Sequence, residues 1–162
     1  MSLPRLAYGF QAAVPVPYPE AVALAREALA AAGFGAVAEI DVQATLRGKL
    51  GVDRRPYLII GACNPALAHQ ALAEEPAIGL LLPCNVVVRE SDDPGTSVVA
   101  VLDPVAQLGI TGREDLRPVA EKVRTLMLGV LEDVGRRAAP TAPKTKQDVR
   151  GSDGRQREGR DR

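Results

Sequence analysis

An α+β fold, built on a mostly antiparallel sheet of about five strands with helices on one face, follows from three observations. Apolar spacing switches repeatedly between strand-like and helix-like, giving the order β-α-β-α-β-α-β-β-α. Two Val-rich runs flank Ser91-Asp92-Asp93-Pro94-Gly95, which reads as a hairpin; its strands must be antiparallel, so an all-parallel doubly wound sheet does not fit. A chain of 162 residues, 46% apolar and 25% charged, has the size and composition of one globular domain with one core.

The elements follow in order. Residues 6–14 (LAYGFQAAV) read as a first strand, ended by Pro15, Pro17 and Pro19, because proline lacks the N–H that a ladder needs. A helix is predicted over 20–32. Val22, Ala25 and Leu29 recur at helical spacing, Glu20 sits at the positive end of the dipole and Gly33 stops it. Residues 35–41 form a short strand and 42–50 a short helix, with Asp41 as N-cap and Gly51 as stop. Gly48 makes this helix weak, at about 1 kcal/mol against Ala. Asp53-Arg54-Arg55 is a charged loop, and 56–62 (PYLIIGA) is a strand.

Asn64-Pro65 is a helix start, with Asn as cap and Pro at the first position; the helix runs to about Glu75. Residues 84–90 (CNVVVRE) and 96–102 (TSVVAVL) are the hairpin strands. Asp103-Pro104 breaks the second, and the segment to Gly112 reads as irregular or one helical turn. Leu116, Val119, Val123, Leu126, Val130 and Val134 make one helical stripe, the last helix. The domain is thus expected over 1–135. Residues 136–162, rich in Lys, Arg, Pro and Gly without apolar period, are expected to be a disordered basic tail.

Net charge is zero but unevenly placed: the first 135 residues carry an excess of five acidic groups, the remainder an excess of five basic ones. Aromatics make up 3%, with no Trp, which argues against the ring platforms of specific nucleic-acid binding. No run reaches the roughly 18–20 apolar residues of a membrane span, and the N-terminus lacks the pattern of an export signal. Two cysteines in that setting imply reduced thiols and a cytoplasmic protein. No GxGxxG, GxxxxGK[ST] or GxSxG occurs.

The strings EIDVQATLRGKLGVDRRPYLIIGACNP, LAHQAL, EEPAIGLLLPCNVVV and LDP, in this order, resemble a bacterial and archaeal family, number 302 among the domains of unknown function. The resemblance covers roughly residues 8–132. It implies a small α+β domain with an antiparallel-type sheet, found as a dimer, and no agreed activity. Positions shared with its pattern include Asp41, Gln43, Cys63, Asn64, Pro65, His69, Pro83, Cys84, Asn85, Asp103 and Pro104.

The residues able to carry chemistry cluster between Glu39 and Val88. Cys63 precedes a helix N-cap, where the dipole would favour a thiolate; it is equally a small apolar residue closing a strand. Cys84 follows a proline and opens an apolar strand. His69, about 7–8 Å along the helix from Asn64, is read as a base for a thiol, a metal ligand or a solvated helix residue. Asn64, Asn85 and Asp41 are candidate ligand-binding residues, with caps and turns as their structural roles; Gln43 joins them on the resemblance alone. Arg54-Arg55 would suit an anion, or be a solvated pair. These readings favour a dimeric cytosolic domain binding a small molecule or partner around Cys63, His69 and Cys84. A thiol-dependent enzyme or sulfur carrier, and a metal or haem binder, are the alternatives. The sequence names no particular cofactor and assigns no metal ligand.

Overall fold

The computed structural model describes residues 5–139. Two strands open the chain, β1 (Arg5–Leu6) and β2 (Gly9–Val14), followed by helix α1 (Tyr18–Ala31). Strand β3 (Gly35–Asp41), helix α2 (Val42–Leu50), strand β4 (Tyr57–Cys63) and helix α3 (Pro65–Glu74) come next. A 3-10 segment (Pro76–Leu81) leads to the hairpin, β5 (Cys84–Glu90) and β6 (Ser97–Leu102). Helix α4 (Pro104–Gly109), a short 3-10 turn and helix α5 (Arg117–Ala138) complete it.

The sheet has six strands in the order β1-β2-β6-β5-β4-β3, and every neighbouring pair is antiparallel. The sixth strand arises because the first predicted strand is interrupted: the chain turns at Ala7-Tyr8, and Leu6 pairs back on Gly9. The order gains α4, because Asp103 caps a short helix in the segment read as irregular or one helical turn: its Oδ1 accepts from the Val105 N–H at 3.0 Å. The last helix runs to Ala138, past the domain boundary expected at 135, and Ala138 is buried. The rest of the predicted tail, from residue 140, lies outside the described residues.

Local chemistry accounts for the helix ends. Asp41 Oδ1 accepts from the Ala44 N–H at 2.8 Å, and Gly51, at φ +65°, closes α2 in the left-handed conformation. Asn64 Oδ1 accepts from the Leu67 N–H at 3.2 Å and starts α3, with Pro65 at its first position. Helix α1 has no side-chain cap; Pro17 and Pro19 set its first turn.

The core lies between one sheet face and helices α1 and α5. Leu58 and Ile60 of β4, Val86 and Val88 of β5, Val99 and Val101 of β6 point into it, against Ala21, Ala25 and Leu29 of α1 and Met127, Val130, Leu131 and Val134 of α5. Helices therefore cover one face, as the sequence implies. A satellite cluster of Ala71, Ile78, Leu108, Leu116 and Ala120 packs α3, α4 and α5 together at one end. Asp103 is buried at the start of α4, and Arg124 of α5 donates to it twice, at 2.7 and 2.5 Å. Burial pushes the Asp103 carboxyl up, but the Arg124 guanidinium and the N–H groups of Val105 and Ala106 outweigh it, so the group stays below its ordinary range.

The other sheet face has no such cover. The pairings Gln11–Ala100, Ala100–Val87, Val87–Ile59 and Ile59–Ile40 lay one row of side chains across five strands. Four of the five are apolar, and Ile40, at the edge, is 51% exposed. Pro83 packs on this face over Gly61, where a Cβ would stand only 2.8 Å from the proline Cγ. Helix α2 lies against β3 and β4 without a single buried residue.

Candidate functional site

The two cysteines reach the same end of the sheet. Strand β4 carries Cys63 at its last position, and β5 opens on Cys84. The register sets Ala62, not Cys63, opposite Cys84. By the two-residue period of a strand, Cys84 and Ala62 leave on the helix-covered pleat and Cys63 on the other. Both residues nevertheless line one cavity, together with Leu67 of α3, Gln107 of α4 and Val123 of α5. Its volume is about 40 Å³, room for roughly three water-sized bodies. Both cysteines are free.

The thiols differ in environment. Cys84 is buried, and its thiol is pushed up to about 11 by burial and by the neighbouring Cys63. It is a protonated, weakly polar wall of the cavity at neutral pH and a poor nucleophile. Cys63 is half-buried.

Gln107 is the one polar oddity at this end. Among the described residues its Oε1 is the one buried side-chain oxygen or nitrogen without a hydrogen-bond partner. Nothing in PVAQLG marks it; an isolated amide between apolar residues, once a helix is granted there, is the only signal available.

The other sequence-derived candidates disperse. His69 is exposed and lines a separate groove with Glu74, Asp115 and Lys122, on the far side of α3 from Leu67 and Ala71. It does not border the cavity that the two cysteines line. Asn64 also borders the cavity, but its carbonyl oxygen is engaged as the cap of α3. Asn85 is exposed on the open face, paired with Gly61. Asp41 caps α2, and Gln43 Nε2 donates to the Arg54 carbonyl at 2.7 Å, at a distance along the sheet edge from the thiols. Among the described residues no three His, Cys, Asp or Glu side chains come together as a metal site. No helix among them is long and apolar enough to cross a membrane.

The family profile described as "Domain of unknown function DUF302" matches residues 10–134. The chain belongs to this family. Among solved structures it is similar to an uncharacterized conserved DUF302 protein from Bacillus stearothermophilus, at 26% identity and a TM-score of 0.72, over 78% of this chain and 97% of that one. No curated protein matches it. The DUF302 match covers the sheet from β2 onward and α5 to Val134, so the thiol cavity and the open face both lie inside the family domain.

Proposed function

We propose that this DUF302 domain is a binding module, with its site at the cavity between the β4 and β5 ends and helices α3, α4 and α5. The ligand is a small uncharged molecule, or the end group of a larger one, that carries an N–H or O–H donor. Gln107 lines the cavity and its side-chain oxygen has no partner, which carries this reading: a buried acceptor left without a donor costs about 1–3 kcal/mol, and a ligand donor that reached it would recover that cost. The apolar remainder of the wall, with Cys84 held protonated, suits a neutral group rather than an ion. Reduced thiols of this kind agree with a cytosolic setting.

The thiol-enzyme and sulfur-carrier readings have less support. Cys84 holds its proton to about pH 11, and His69 is not in the cavity to act as its base. The metal or haem reading needs a converging ligand set that Cys63, Cys84 and His69 do not make.

The test is extraction and mass analysis of small molecules from the full chain, purified without a tag, alongside a Gln107→Leu variant. A low-mass compound in stoichiometric amount, lost in the variant, is the expected result. If neither protein carries one and Gln107→Leu melts higher than the parent, the cavity is empty and the reading fails.

A second reading concerns a partner. The cross-strand row of Ile40, Ile59, Val87 and Ala100 on the open face favours a second copy of this chain there, giving a homodimer. Sedimentation of the full chain should report twice the monomer mass, and Val87→Arg should halve it. A monomer at concentrations of about 100 μM, weak even for transient contacts, removes the homodimer.

A further inference from the structure

We infer that Arg54, Tyr57 and Arg89 form a binding groove for an oxyanion, the phosphoryl or carboxylate group of a small molecule. The groove lies where β4 begins and β5 ends, remote from the thiols, and has a volume of about 320 Å³, within the range of small-molecule sites. It stands independently of the cavity reading.

Three features build it. The β4–β5 register sets Tyr57 directly opposite Arg89, so both side chains leave on the open face. The Arg54 guanidinium lies over the same ring, 4.6 Å from its centre. The Gln43 side chain holds the loop by donating to the Arg54 carbonyl at 2.7 Å, which fixes the backbone from which that guanidinium reaches back. The tyrosine ring therefore orders the Arg54 guanidinium, and Arg89 lines the same groove.

Nearby carboxylates are committed elsewhere. Asp53 accepts from Arg47 at 2.9 Å, and Asp92 pairs with Arg55 at 3.0 Å. Arg55 also donates to the Ser91 carbonyl at 2.6 Å. Among the described residues neither Arg54 nor Arg89 has an ion-pair partner. Glu90 is the one acid in the groove wall without a cation of its own. Each of these two guanidinium forks, free of an ion-pair partner, can take a carboxylate or phosphoryl group bidentately, against the single opposing charge of Glu90.

The experiment is an NMR titration of the full chain, following the arginine side-chain N–H signals, with inorganic phosphate in one arm and acetate in the other. Saturable shifts at Arg54 and Arg89 are expected, with the stronger arm naming the oxyanion. Arg54→Gln and Arg89→Gln should each weaken binding about tenfold, the scale of one charged hydrogen bond. Glu90→Gln should tighten it, and Lys122→Gln, in a different groove, should leave it unchanged. Melting curves check that the glutamine variants fold. Non-saturable shifts in both arms, or the same affinity in the Arg54→Gln/Arg89→Gln double variant, would overturn the site.

Discussion

The two faces of the sheet are made by the same strands from nearly the same residues, yet they fare differently. On the covered face Ile60, Val86, Val88 and Val99 have no exposure at all. On the open face, one residue along each strand, Ile59, Val87 and Ala100 remain partly exposed and Ile40 is half in solvent. Strand composition therefore does not decide burial; the placing of α1 and α5 does. On the open face the apolar side chains shelter one another only across strands, which yields less than packing under a helix.

The sharpest way to break this contrast is a matched pair of substitutions. Ile60→Ala should cost about 4 kcal/mol, since it empties a fully enclosed site, whereas Ile59→Ala should cost about 1 kcal/mol. Urea unfolding measures both, and equal losses would mean that something in solution covers the open face. A second copy there would make the Ile59→Ala loss depend on protein concentration.

Next in size is the pin that holds α5 over the covered face. Arg124→Ala leaves the Asp103 carboxylate buried without its cation and should cost about 3 kcal/mol, the low end for stranding such a charge because the Arg124 head still meets water. The pH dependence follows from the same pair. The folded Asp103 lies below its ordinary 3.8, so its contribution is present above that value and is lost as pH falls through the folded value. Unfolding below about pH 4 should therefore be steep in the parent and shallower in Arg124→Ala.

The thiols give a smaller effect. Cys84 is raised from 9.0 to about 11, so its contribution is present below pH 9 and is lost as pH rises toward 11. A thiol reagent at pH 8 should label Cys63 alone in the native protein and Cys84 only after denaturation. Fast labelling of both would remove the enclosed cavity wall from the account. The smallest change lies on the uncovered edge: Gly48→Ala in α2 meets open space and should stabilise by up to about 1 kcal/mol in a melting curve.

Much of the fold is legible before any coordinates. Helix α2 begins and ends where Asp41 and Gly51 predict, α3 starts at Asn64-Pro65, and the hairpin turns at 91–96. The candidate site is legible only in part. His69 is two residues from the inward Leu67, about 200° around the helix, so once Leu67 faces the core the histidine must face away. The sequence names both residues but not which side of α3 is inside. Asp103 reads as an N-cap or turn residue, and its ion pair is hidden because the partner Arg124 lies 21 positions on. Gln107 carries no signal until α4 is known to be packed.

What the chain determines by itself is therefore where elements start, stop and turn, because caps, prolines and apolar spacing act over a few residues. What waits for the tertiary structure is which pleat each thiol takes, which sheet face is covered and which charges meet. Those depend on register and helix rotation, which are set by packing between segments far apart in the sequence.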